Sequence, residues 1–212
     1  MKTNFLKLNF LLVLVILTIS GCAGLKQGVN TSEKVSPFSD HQKSLILAAP
    51  SEIPMRVLQT TSREDSIILR QKSHDIEPDE SDEILTRIVS RLYSTVTDSA
   101  SMGVGIAAPQ VGILKNIIWV QRYDKEGFPF EVYLNPKILK YSEMRQTRRE
   151  GCLSIPNRTD TLHSRSYAIL IEYDMMNGDH KIEMIEDFTA IIFQHEIDHL
   201  NGILYIDHIS KP

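Results

Sequence analysis

The stretch DFTAIIFQHEIDHL, Asp187 to Leu200, followed by Asn201-Gly202, constrains this chain more than any other. Asp187 reads as an N-cap and Gly202 as a stop signal, which predicts one helix between them. Ala190, Ile191, Ile192, Phe193, Ile197 and Leu200 occupy nearly every side of that helix, which leaves it no solvent face. The rest of a single domain must therefore wrap around it. Imidazole and carboxylate groups on such a helix need partners, because an unpaired one is costly in an apolar interior. The order HExxH at His195, Glu196 and His199 supplies one. Histidines at i and i+4 lie one turn apart on the same face and can meet one cation, while Glu196 reaches water bound to it. A pair of hydrogen-bonded core histidines is the plainer alternative.

Two histidines do not complete a metal site. The pattern HExxHxxGxxH fails here, since Gly202 is in place but Tyr205 holds the third histidine position. No glutamate follows Glu196, and the chain ends thirteen residues after His199. Asp207 and His208 remain, but each would need the chain to fold sharply back. The third ligand is expected from upstream, where EGCLSIP at Glu150–Pro156 carries Cys152. A thiolate with two imidazoles suits zinc or ferrous iron. Further upstream, GVGIAAPQ at Gly103–Gln110 is a small-residue stretch that lets backbone approach a ligand and ends in a side-chain amide.

The 212 residues support one globular domain, expected over 53–212. A net charge of −4 with interspersed acids and bases gives no basic stripe for a phosphate backbone, so nucleic acid is not the expected partner. Neither an internal repeat nor a nucleotide-binding glycine loop is present. Residues 1–21 differ from the rest: Lys2 and Lys7 precede the apolar run Phe10–Leu17, which has the length of a secretory signal and is too short to span a bilayer. It ends in Ile19-Ser20-Gly21-Cys22, which resembles the lipobox of bacterial lipoproteins. Cys22 is then the lipidated mature N-terminus, and residues 22–52, polar and turn-rich, read as a tether to a membrane, within which the apolar patch Leu45-Ile46-Leu47 is open to docking on the domain. Ala23 is not an acidic retention residue, which points to the outer membrane in a two-membrane bacterium. If Cys22 carries lipid, Cys152 is left without a disulfide partner, and a metal would hold its sulfur.

Asp79, Ser81 and Asp82 precede Ile84, Leu85, Ile88, Leu92 and Val96, whose spacing predicts an amphipathic helix. Short β-like runs follow at 117–120, 132–134, 168–171 and 181–185. The last two are joined by DMMNGD, where Asn177-Gly178 is a tight-turn signal. Antiparallel sheet is the consequence.

Taken together, Gly103/Gly105/Ala107/Ala108/Gln110, Glu150/Gly151/Cys152/Ser154 and His195/Glu196/His199 resemble the three motifs of the peptide deformylase family, GxGxAAxQ, EGCxS and HExxH. The resemblance spans about residues 53 to 210 and includes a weaker LRQKS segment at Leu69–Ser73. It implies an α+β fold with antiparallel sheets around a central C-terminal helix carrying HExxH. It further implies one divalent ion, Fe(2+) or Zn(2+), held by Cys152, His195 and His199 with a fourth position for water. Glu196 would move the proton. Gln110, by its side chain, and Leu153, by its backbone N–H, would donate to the carbonyl oxygen as negative charge develops. Gly105 would pair with an extended substrate backbone, Val104 and Ile192 are candidates for the methionine pocket, and Glu150 and Asp198 would orient ligands, with Arg165 as a partner for Asp198. The implied reaction is hydrolysis of the formyl group from N-formylmethionyl peptides, releasing formate.

That activity belongs beside the ribosome, whereas the N-terminus directs export. Either the substrates lie outside the cytoplasm, or translation starts at Met55 and the protein is cytoplasmic. The expectation is a lipid-anchored exported enzyme. Outside the cell ferrous iron oxidises readily, while zinc has no redox chemistry. Two other classes stay open: a surface metallohydrolase for another amide, and a non-catalytic lipoprotein that binds metal or formyl peptides. The second leaves the retention of Glu196 and Gln110 without a purpose.

Overall fold

The computed structural model describes residues 37–100 and 102–209. The expected signal segment and Cys22 lie outside the described residues. Four α-helices are present among them: α1 (Asp40–Leu47), α2 (Arg63–Leu69), α3 (Glu83–Val96) and α4 (Asp187–Leu200). Seven strands accompany them: β1 (Gly105–Ala107), β2 (Ile117–Gln121), β3 (Phe130–Tyr141), β4 (Arg145–Cys152), β5 (Ile155–Ser166), β6 (Ala168–Asp174) and β7 (His180–Glu186). Five form an antiparallel sheet in the order β1-β2-β3-β6-β7, and β4 pairs with β5 in a separate two-stranded sheet. The α+β architecture around a C-terminal HExxH helix is the one expected.

Alternation along β2 explains how the sheet is covered on two sides. Successive side chains point to opposite faces, so Ile117 and Trp119 pack with α3, while Ile118 and Val120 pack with α4. A strand buried on both faces must be apolar at every position, as IIWV is. On β6 and β7 one face, Ile169, Ile171 and Ile185, joins the α4 core. The other leaves Ile182 and Met184 exposed. Asp82 caps α3 by accepting from the N–H groups of Ile84 and Leu85. Gly178 turns between β6 and β7 at φ +88°, a conformation that favours glycine.

Two boundaries differ from expectation. The stretch 22–52 is not tether throughout: α1 begins at a Ser39–Gln42 capping box, and Phe38 and Ile46 are buried in the core beside α3. Buried Arg91 of α3 donates to the carbonyls of Leu45, Ile46, Ile53 and Pro54, binding this segment to the domain. The packed body therefore starts ahead of residue 53. Asp187 is the first helical residue of α4, at φ +52°, and Glu186 holds the cap position without a capping side chain.

Candidate active site

α4 delivers His195, Glu196 and His199 to the centre of the molecule, and its rotation is set by the residue before them. Gln194, buried, accepts from the N–H of Ser166 at 3.0 Å and donates to the carbonyl of Ser166 at 2.9 Å, which fastens the helix to the end of β5. Past the helix, Gly202 adopts φ +71° against the carbonyl of Arg70, where a Cβ would collide with backbone. The chain then turns back through Tyr205–His208, so the sharp fold-back that disfavoured Asp207 and His208 does occur. Neither becomes a ligand. Asp207 pairs with Arg70 and accepts from the Leu204 N–H, while His208 bonds Asp198 at 2.8 Å. Tyr205 lays its ring over His195, with centroids 6.0 Å apart and planes at 20°.

Cys152 comes from the end of β4, where the register with β5 shifts between Gly151 and Cys152. One donor atom each from Cys152, His195 and His199 lies within 4.8 Å of the other two, and Sγ of Cys152 stands 3.2 Å from Nε2 of His199. Donors of a tetrahedral zinc or iron site sit about 3.5 Å apart, given metal–sulfur and metal–nitrogen bonds near 2.3 and 2.1 Å. The residues fit a cation in both spacing and chemistry. Burial alone would raise the Cys152 thiol, but the imidazoles of His199 and His195 overrule it and hold the thiol well below its ordinary value.

Behind the cluster, Glu150 accepts from Nδ1 of His195 at 3.0 Å, leaving the other ring nitrogen for a cation. Arg165 donates twice to Glu150, at 2.8 and 3.0 Å, and once to Asp198, at 2.6 Å. Burial works against the Glu150 charge, yet the His195 and Arg165 bonds bring its carboxyl down to about 2. The expected Arg165–Asp198 pair is present, and Glu150 joins it.

On the near side, Glu196 is 4% exposed, and its Oε2 has no hydrogen-bond partner among the described residues. Burial pushes its carboxyl up to about 7 against the opposing pull of His195 and His199. A Cβ at Gly105 would stand 2.5 Å from Oε1 of Glu196 and 2.8 Å from Ile192, so glycine is what lets β1 pass this close. β1 pairs only with β2 in the sheet order, and its other edge faces a cavity of about 780 Å³. Val104, Gly105, Gln110, Cys152, Leu153 and Glu196 all line that cavity. Gln110 accepts from the Ala107 N–H at 2.8 Å and turns its NH2 toward Cys152 Sγ, 3.6 Å away, and Ser154 Oγ, 3.3 Å away. Ser154, fully buried as the support for Gln110, lay inside the EGCLS motif without a role assigned. Phe188 and Arg149, both lining residues, carried no local signal at all.

An α+β domain that gathers a cysteine and two histidines around one point, with a buried carboxylate beside an open strand edge, defines a metallohydrolase. A sequence profile of the polypeptide deformylase family matches residues 56–212. The peptide deformylase of Finegoldia magna is 37% identical over 146 residues, 69% of this chain and 86% of its own. Peptide deformylase 1 of Clostridium perfringens is 40% identical over 144 residues, 68% of this chain and 92% of its own. Among solved structures, a class I type b peptide deformylase from Acinetobacter baumannii with Met-Ala-Ser bound superposes with a TM-score of 0.67 at 31% identity, over 74% of this chain and 99% of that one. The enzyme from Thermotoga maritima gives 0.64 at 32%, over the same shares. The chain belongs to the peptide deformylase family of metal-dependent hydrolases.

Proposed function

We propose that this protein removes the formyl group from N-formylmethionyl peptides, yielding formate and a free amine. One observation carries the reading: the Cys152, His195 and His199 donors converge within 4.8 Å next to the buried, unpartnered Oε2 of Glu196. The Met-Ala-Ser complex of the Acinetobacter relative, which holds the peptide left after such a reaction, supports the substrate class.

Cys152, His195 and His199 would hold a cation, and the chemistry it would supply there is Lewis acidity toward a carbonyl and toward water near neutral pH. Iron(II) and zinc(II) both suit this donor set. The edge of β1 at Gly105 would receive the peptide as an added strand, which fixes the formyl carbon beside the cluster. Gln110, its amide held by Ala107, and the N–H of Leu153 would donate to the oxygen that gains charge, each such donor contributing about 3 kcal/mol to the lowering of the barrier. Glu196 would accept the proton of the attacking water and return it to the departing nitrogen. Val104 and Ile192, which line the cavity with Phe188 and Ile191, would take the methionine side chain. Formate release from formyl-Met-Ala-Ser by the metal-loaded protein tests this, with Glu196→Gln expected to retain metal and lose at least about a thousandfold in kcat. Equal turnover in the variant removes Glu196 from the chemistry.

The N-terminal sequence supports a second, separable reading, that the protein is exported and lipid-anchored at Cys22. A start at Met55 would delete α1 and strip buried Phe38 and Ile46 from the core, which favours the longer chain. Palmitate labelling and fractionation of cells producing the full chain decide it. Label lost in Cys22→Ser is expected, and a native N-terminus at Met55 would overturn it.

A further inference from the structure

Around the mouth of the cavity the charge is lopsided. Its lining contains two acidic residues, Glu150 and Glu196. Glu150 is already bound by Arg165 and His195, and Glu196 is buried at the cluster. Two exposed cations, Arg149 and Arg158, stand on the same wall. Arg149 spends only its Nε, on Thr159 Oγ1 at 2.7 Å, and enters no ion pair among the described residues. Arg158 gives its Nε to Asp160 at 2.8 Å, and Asp160 is shared with the hydroxyl of Tyr205. The Nη groups of both arginines remain without partners among the described residues. This wall belongs to the β4–β5 hairpin, whose residues 145–166 include five arginines and two acids, in a chain whose net charge is −4.

We propose that Arg149, seconded by Arg158, selects formyl peptides that carry a carboxylate near their third residue, whether a side-chain carboxylate or the free C-terminus of a short peptide. The inference rests on the deformylase reading above. Arg149 precedes Cys152 by three residues, about 10 Å of extended chain at 3.3 Å per residue, and with the register shift between Gly151 and Cys152 both line the cavity. A peptide that runs extended along β4 with its formyl carbon at the cluster would reach its third residue over that span. A planar guanidinium fork with free N–H groups suits a carboxylate. The preference also has an informative sign, because the net negative charge of the whole molecule would by itself disfavour an acidic peptide.

The experiment compares formyl-Met-Ala-Asp-amide, formyl-Met-Ala-Asn-amide and formyl-Met-Ala-Asn free acid on the metal-loaded full chain. At low salt, at least one carboxylate-bearing peptide is expected to exceed the neutral amide by about fivefold in kcat/KM, the worth of a rim charge pair. The gain should lie in KM and shrink as ionic strength rises. The Asp-amide and free-acid arms separate the two sources of the carboxylate. Calorimetric binding of the product peptides Met-Ala-Asp-amide and Met-Ala-Asn-amide should reproduce the ratio without turnover. In Arg149→Gln/Arg158→Gln the ratio should collapse to about one, and in Arg149→Lys/Arg158→Lys most of it should survive. Equal kcat/KM for all three peptides, or a preference that persists in the glutamine variant, overturns the inference while leaving the deformylase reading intact. No turnover of any peptide removes both.

Discussion

Arg122 and Arg165 are both almost wholly buried, and each faces several carboxylates, yet they serve different ends. Arg122 donates to Asp124, Glu131, Glu183 and Tyr133, and its carboxylate partners are each about 30% exposed at the side chain. Those acids keep contact with water, so the network closes on the sheet surface. Arg165 donates to Glu150 and Asp198, which are 5% and 16% exposed, and through Glu150 the bonds run on to His195. Both clusters carry the desolvation cost of a buried guanidinium. The second ends on a candidate ligand, so its geometry is passed to the cluster.

The largest effect expected follows from that difference. Removing one member of a buried ion pair leaves an uncompensated charge and costs about 3 to 5 kcal/mol. Arg165→Met strands Glu150 and Asp198 and should reach that range, with metal lost as well. Arg122→Met leaves acids that can turn to solvent, so a loss of about 1 to 3 kcal/mol with full metal content is expected. Denaturant midpoints and elemental analysis of both variants check this. Metal lost from Arg122→Met would break the contrast.

A more local pair isolates the bond to His195. Glu150→Gln keeps the shape but sets an amide NH2 against the donors of Arg165 or His195, and metal affinity should fall about 10- to 100-fold. Glu183→Gln makes the same chemical change at the other arginine and should leave metal affinity where it was. Competition with a chromogenic chelator measures both. Equal affinities in the two variants would mean that Glu150 does not orient His195.

The two clusters were unequally visible in the sequence. Every strand of the five-stranded sheet longer than three residues leaves an apolar run, since at least one face packs on a helix, and α3 and α4 announce themselves by spacing. The strands β4 and β5, RQTRREGC and IPNRTDTLHSRS, bury little apolar surface and show no alternation, so their hairpin could be found only through the motif at its end. Cys152, His195, Glu196 and His199 were legible because each sits in a short pattern. The Arg165–Glu150 bond joins residues fifteen apart across a register shift, and the Arg122 network spans three strands, so no local pattern marks either one. Likewise the sequence left Leu45-Ile46-Leu47 open between tether and docked segment, because a short helix with one fully buried residue is decided by Arg91 on another helix.

Acid should separate the clusters further. Hydrogen bonds from Arg122 hold the Asp124 carboxyl below its usual range. Burial works against the Glu131 charge, but bonds from Lys125 and Tyr133 bring that carboxyl down too. As pH falls, the unfolded chain takes up these protons first, near pH 4. The stability the two groups contribute is therefore complete above that pH and is lost as pH drops through their lower folded values. Between pH 6 and pH 3 the urea midpoint of the native protein should fall more steeply than that of Arg122→Met. Parallel slopes would show that Asp124 does not depend on the guanidinium.

The smallest effect is expected at the outer end of the Arg165 cluster. His208 bonds Asp198 at 2.8 Å and stands 3.5 Å from Arg165, at the wall of a second cavity of about 320 Å³ that Tyr141 and Arg145 also line. Asp198 keeps the shorter Arg165 bond when the imidazole is gone, so no buried charge is stranded. His208→Gln should therefore change stability by less than about 1 kcal/mol, in the range of a partly exposed pair, and leave metal affinity unchanged. A tenfold fall in affinity would mean that the bonds from His208 through Asp198, Arg165 and Glu150 to His195 act as one unit. The second cavity, which Arg165 and Asp198 themselves line, would then be coupled to the candidate ligand His195, and the contrast with Arg122 would widen from one of destination to one of access.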